Sequence, residues 1–111
     1  MMNINQCVVA MVTCASLEEA SKIVVRLLEL RLIACGKCIP ANAMFHWQGT
    51  VDSAQEVMVI METILDHFES IEKEIKSLHS YQTFVLIAMP VVRISEQARK
   101  WLQDSVQPEK A

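Results

Sequence analysis

Two cysteines, Cys35 and Cys38, stand three residues apart in the stretch RLIACGKCIP, residues 31–40. Thiols at that spacing serve zinc knuckles and thiol–disulfide couples, so the pair is the first place to look for chemistry. A structural zinc ion takes four nitrogen or sulfur ligands, commonly with a second Cys-x-x-Cys or a His pair nearby. Here Cys7 and Cys14 are seven apart, and His46, His67 and His79 are widely separated. Extended backbone over 34–39 would send the two thiols to opposite faces of a strand, out of reach of a shared ion. A redox pair works at the start of a helix, which stabilises the thiolate, whereas this pair follows one. Both a chelating or redox couple and two buried apolar cysteines stay open.

His79, Tyr81 and Gln82 form a second polar group, at the entrance to the last apolar run. The alternative role for His79 is to complement the negative end of the helix before it. Seven methionines invite a thioether–copper reading. Met58, Met61 and Met89 fall inside apolar runs, however, where packing accounts for them. No Ser-His-acid order, G-x-S-x-G or phosphate-cradling glycine motif is present, and the expectation is a protein without catalytic turnover.

The elements that must position these groups follow from periodicity. CVVAMVT (7–13) reads as a strand covered on both faces. Ser16 to Glu19 is a capping box, followed by Ala20, Ile23, Val24, Leu27 and Leu28 on one helical face; the spacing predicts a helix ending near Leu32, with Arg26 and Arg31 at its negative end. Ala34 to Trp47 contains β-compatible pieces around Pro40, then a turn at Gln48-Gly49. AQEVMVIMET (54–63) reads as a strand, and Asp66 with Glu69 as the cap of a second helix with Phe68, Ile71, Ile75 and Leu78 as its stripe. FVLIAMPVV (84–92) is another doubly apolar strand, and Ser95 caps a last helix carrying Ala98, Trp101 and Leu102. The order β-α-β-β-α-β plus a C-terminal helix predicts an α+β, ferredoxin-like sandwich. Helices cover only one face of such a sheet, so strands apolar on both faces call for a second cover, most simply another copy of the chain.

Composition agrees. A chain of 111 residues is one domain, 1–111, and 52% apolar residues with a mean hydropathy of +0.27 is high for that size. The net charge of −3 and ten scattered Lys and Arg give no basic stripe for nucleic acid. No apolar run reaches the ~18–20 residues of a membrane span, and MMNINQ lacks the positive charge of a secretory leader. A cytoplasmic location is expected, with the four cysteines reduced.

Ordered motifs then bring a family into view: Val12-Thr13, Glu18 to Ala20, Arg31 to Cys35, Trp47 with Gly49, Glu56 to Thr63, His79 with Tyr81, Met-Pro-Val of the last strand and Trp101-Leu102. With these the chain resembles the CutA family of divalent-cation tolerance proteins over nearly its whole length. The resemblance implies a ferredoxin-like subunit, a homotrimer that supplies the missing cover, a cytoplasmic location and a role linked to copper and other divalent metals. It also implies clefts between subunits, lined by Trp47, Tyr81, Gln82, Lys37 and Glu62, holding a metal ion or a small ligand. Cys35 matches the recurring cysteine and is expected as a soft ligand, with His79 as an accessible imidazole. Three departures stand out: Lys37 where the family has Asn, Glu62 where it has Lys, and His79 to Val85 reading HSYQTFV without the usual prolines and carboxylate. They keep two alternatives in play, a metal-free structural or interaction trimer and a thiol-redox protein using Cys35 and Cys38.

Overall fold

The computed structural model describes residues 6–108. MMNIN, read above for a leader, and residues 109–111 of the expected domain lie outside them. Four strands and three helices run in the order β1 (Cys7–Cys14), α1 (Leu17–Glu29), β2 (Cys35–Trp47), β3 (Thr50–Ile64), α2 (Phe68–Leu78), β4 (Leu86–Pro90) and α3 (Glu96–Ser105), with a 3-10 turn at Leu65–His67 ahead of α2. The sheet is antiparallel in the order β2-β3-β1-β4. This is the ferredoxin-like α+β arrangement expected from the pattern.

The α1 cap forms as the capping box requires: Ser16 Oγ accepts from the Glu19 N–H at 3.2 Å. The Glu19 carboxylate reaches the Ala15 N–H at 3.4 Å. The helix stops at Glu29 rather than near Leu32 because Arg31 turns left-handed, with φ 57°. Arg31 N–H then bonds Leu28 O and Leu32 N–H bonds Leu27 O, the paired contacts of a Schellman ending. An arginine in the place glycine favours is held there from outside. Its guanidinium donates to the Asp104 and Ser105 carbonyls at the end of α3, and its own carbonyl accepts from Gln107 N–H.

Four other boundaries differ from expectation, the first being β3, which runs Thr50–Ile64 rather than 54–63. β2 is one continuous strand through Pro40, which an edge strand tolerates because one of its sides has no ladder to complete. β4 is shorter than 84–92, spanning only Leu86–Pro90. Asp66 sits within the 3-10 turn, and α2 starts at Phe68, with His67 in the N-cap position. Of the α2 stripe, Ile71 and Ile75 are fully buried, while Leu78 is exposed.

Alternation along the strands sorts the side chains by face. Ala10, Val12 and Cys14 of β1, with Val59 and Met61 of β3, pack under α1 and α2. Gly36 of β2 belongs to the same face: a Cβ there would lie 2.7 and 2.8 Å from the Val24 methyls of α1. The opposite face carries Val9, Met11, Cys35, Lys37, Ile39, Met58, Ile60, Glu62, Ile87 and Met89. Among the described residues only its Cys7–Ile64 end is covered, by Leu102 of α3 and Val106, while Ile39, Ile87 and Met89 are exposed.

β1 stops pairing with β3 at Cys14–Val57. Beyond that point Thr50–Glu56 pairs only with Ala41–Trp47, making a two-stranded arm. Gln48 (φ 50°) and Gly49 (φ 82°) close it as the expected turn, both left-handed as a two-residue hairpin requires. The arm lengthens the subunit to 48 × 26 × 23 Å, with Met44, Phe45, Trp47 and Val51 exposed along it.

Candidate functional site

Where the arm leaves the sheet, three segments converge. Cys14 is the last residue of β1, Glu19 stands in the first turn of α1, and His79 caps the C-terminus of α2. One donor atom from each, a thiol, a carboxylate and an imidazole, lies within 4.8 Å of the others.

Hydrogen bonds fix the state of the imidazole. His79 Nε2 lies 2.8 Å from Thr13 O, a carbonyl that can only accept, so Nε2 carries the proton. Nδ1 in turn accepts the Tyr81 N–H at 2.9 Å. The ring is the neutral Nε2–H tautomer, and Glu19 Oε1 at 3.4 Å from Nδ1 is a polar neighbour and not an ion-pair partner. The ring is fully buried, stacked on Phe84 at 5.1 Å and tilted against Tyr81 at 4.9 Å.

Glu19 also accepts the Ser80 N–H at 3.2 Å. Burial pushes its carboxyl up, but hydrogen bonds from Ser80 and Ala15 outweigh that and leave it below its ordinary value. Burial, reinforced by Glu19, Cys38 and Glu56, pushes the Cys14 thiol up to about 12. Tyr81 extends the network outwards: its hydroxyl donates to Glu56 Oε2 at 2.6 Å, and that bond, with burial, pushes the phenol up to about 12.

Cys35, Lys37 and Glu62 lie on the uncovered face. Cys35 and Glu62 are cross-strand partners, and Lys37 Nζ reaches Glu62 Oε1 at 2.7 Å and Cys35 Sγ at 3.4 Å. The Glu62 hydrogen bond lifts the Lys37 ammonium above its ordinary value, against the opposing effect of burial. Cys38 points the other way, half-buried against the core under the helices. The two cysteines of C-G-K-C therefore cannot share an ion or couple within one chain, as extended backbone predicted.

The residues singled out from sequence are thus divided. His79 and Tyr81 meet at the junction, with Gln82 exposed on the loop beyond them. Lys37 and Glu62 meet on the open face with Cys35. Cys35 and His79, expected as ligands together, lie on opposite sides of the sheet within the subunit. His79 is enclosed, which corrects the expectation of an accessible imidazole. Trp47, at the arm tip, stands seven strand residues or about 23 Å beyond the Cys14–Val57 pair. Sequence reasoning missed the roles of Cys14, considered only for its spacing to Cys7, of Glu19, read as a helix cap and motif residue, and of Glu56, read only as the start of a motif. The available signal was Cys14 and Glu19 flanking a strand-to-helix turn.

As a donor set the three groups suit a borderline or soft divalent cation: thiolate and imidazole favour copper and zinc, and a carboxylate completes such sites. Burial of Cys14 raises the cost of losing the thiol proton, and a coordinating cation that displaces that proton has to meet this cost.

A family profile described as CutA1 divalent ion tolerance protein matches residues 8–105. The chain is similar to the divalent-cation tolerance protein CutA of Archaeoglobus fulgidus, 35% identical over 96 residues, covering 86% of this chain and 94% of that one. It is 36% identical over 85 residues to the protein of the same description from Pyrococcus horikoshii, covering 77% and 83% respectively. Among solved structures, that of the periplasmic divalent cation tolerance protein CutA from Archaeoglobus fulgidus superposes with a TM-score of 0.89 at 34% identity, over 91% of this chain and 99% of that one.

Proposed function

The chain belongs to the CutA1 divalent ion tolerance protein family, and on that premise we propose that it acts as a homotrimer holding copper or another divalent cation at Cys14, Glu19 and His79, in a tolerance or signalling role without turnover. The observation that carries this reading is the convergence of a thiol, a carboxylate and an imidazole within 4.8 Å. Cys14 replaces Cys35 as the soft ligand. The Lys37 ammonium, 3.4 Å from Cys35 Sγ, opposes a second cation on the open face. The ion would be held by Cys14 Sγ, a Glu19 oxygen and His79 Nδ1, and would supply only charge and ligation.

Self-association is supported by the open face: an apolar sheet surface of Val9, Met11, Ile39, Met58, Ile60, Ile87 and Met89, and an arm with exposed Trp47, need a cover of like chemistry. The same assembly would bring Trp47, Gln82, Lys37 and Glu62 of different subunits to the clefts. Free Cys7, Cys14, Cys35 and Cys38 support a reducing, cytoplasmic location.

A metal-free structural trimer is the second reading. It is favoured by the fact that His79 and Glu19 already have hydrogen-bond partners for their donor atoms. Native mass spectra of the wild type, Cys14→Ser and Cys35→Ser, with and without Zn(II) or Cu(II), separate the two. Trimers that take up one ion per subunit in the wild type and in Cys35→Ser, but not in Cys14→Ser, are expected. Uptake indifferent to Cys14→Ser overturns the site, and trimers bare under all conditions favour the structural reading.

A further inference from the structure

Two of the three donor groups of the junction, the imidazole and the carboxylate, are already engaged by a single turn of backbone. Tyr81 N–H donates to His79 Nδ1 at 2.9 Å, and Ser80 N–H donates to Glu19 Oε2 at 3.2 Å. Nε2 offers no alternative, since its proton is held by Thr13 O. A metal–imidazole bond is about 2.1 Å long. An ion on the Nδ1 lone pair would therefore sit within about 1 Å of the present Tyr81 nitrogen, given the 2.9 Å separation. One lone pair cannot serve both.

Tyr81 is also tied at its other end. Its hydroxyl donates to Glu56 Oε2 at 2.6 Å. Glu56 pairs with Ala41 one step past the last β1–β3 pair, Cys14–Val57, which makes it the root of the two-stranded arm. The main chain of Tyr81 thus blocks the site, and its side chain braces the arm.

We propose that a divalent cation and the Tyr81 main chain compete for the Nδ1 lone pair of His79, so that loading the site releases the Tyr81–Glu56 latch at the root of the arm. This deepens the metal-binding reading above and rests on it. Loading and latching are linked reciprocally: weakening the latch tightens metal binding, and metal loosens the arm. Since the arm is the part of the subunit that reaches furthest from its core, the ion's presence is passed to whatever the arm touches, which in the proposed trimer is a neighbouring copy.

Tyr81 is the chain's one tyrosine, so 3-fluorotyrosine labels this position alone. Zn(II) is titrated into the labelled, assembled protein and followed by fluorine NMR, with uptake counted by native mass spectrometry on the same samples. The expected result is a fluorine resonance that shifts in step with zinc uptake. Glu56→Gln should bind zinc about tenfold more tightly, because a hydrogen bond to a charged acceptor no longer opposes the ion. Tyr81→Phe should do the same while keeping the ring, which guards against a folding defect in the Glu56 variant. Zinc uptake with an unmoved fluorine line, or with affinities unchanged in both variants, overturns the latch and leaves the metal site standing. No zinc uptake at all overturns the metal reading, and the latch with it.

Discussion

If Cys14 is a ligand, metal uptake must expel its proton, and the burial of the thiol sets how much that costs. With the group pushed up to about 12, five pH units separate it from neutrality, or about 7 kcal/mol at roughly 1.4 kcal/mol per unit. The cation–thiolate interaction has to exceed that sum. His79 adds no proton to the balance, because its Nδ1 lone pair is already bare of hydrogen. Glu19 adds none either, since its carboxyl is held below the ordinary carboxylate value. One proton should therefore leave per ion bound. Zinc affinity should rise about tenfold per pH unit from pH 6.5 to 8, and so about thirtyfold across that range. Calorimetry of zinc binding in two buffers of different protonation enthalpy counts the protons directly, and Cys14→Ser should abolish both the release and the slope. A slope near zero in the wild type would mean the thiol is not a ligand. A slope near two would mean that His79 also sheds a proton, against its tautomer.

The same thiol makes alkaline stability a further test. Its native value is about 12 against 9.0 unperturbed, so its contribution is intact below pH 9 and is lost as pH rises towards 12. Wild type minus Cys14→Ala should fall by about 1.4 kcal/mol between pH 8 and 10 in denaturant titrations, and a flat difference would contradict the shift. Gly36→Ala places a Cβ at 2.7 and 2.8 Å from the Val24 methyls. That overpacking should cost about 1–3 kcal/mol in thermal unfolding, with part of it restored by adding Val24→Ala. Lys37→Met breaks the 2.7 Å pair with Glu62. With the Lys37 side chain 57% exposed, the loss should stay under about 1 kcal/mol in the isolated subunit, and a larger loss would mean that the pair is enclosed in the assembly.

The fold was legible because each element advertises itself by a local rule. The capping box at Ser16–Glu19 and the apolar face through Ile23 and Leu27 define α1, and both appear as written. Two-faced apolar strands announced an uncovered sheet face, which the exposed Ile39, Ile87 and Met89 display. Boundaries failed where distant contacts overrule local preference. Arg31 ends α1 in a glycine-like conformation because the α3 carbonyls and Gln107 hold it, 73 and more residues away in sequence. Pro40 obscured a continuous β2 because nothing local says that this strand is an edge.

The site was less legible, and for a reason of topology rather than chemistry. Cys35 drew attention through its spacing to Cys38, but alternation divides those two between the faces of β2. The thiol that does find an imidazole is Cys14, 65 residues from His79, and the two meet only because the antiparallel sheet returns the end of α2 to the end of β1. Glu19 could be recognised as a cap but not as a donor, since one carboxylate serves the helix start and the junction at once. Glu56 stood out only as the start of a family motif, with no local signal for its partner. Its position matters because β1 ends opposite Val57, and so the first residue of the unsupported ribbon is also the acceptor for Tyr81. A cation at this junction would act where the stiff four-stranded sheet gives way to a two-stranded arm, the point in the subunit where a small displacement of backbone has the longest lever.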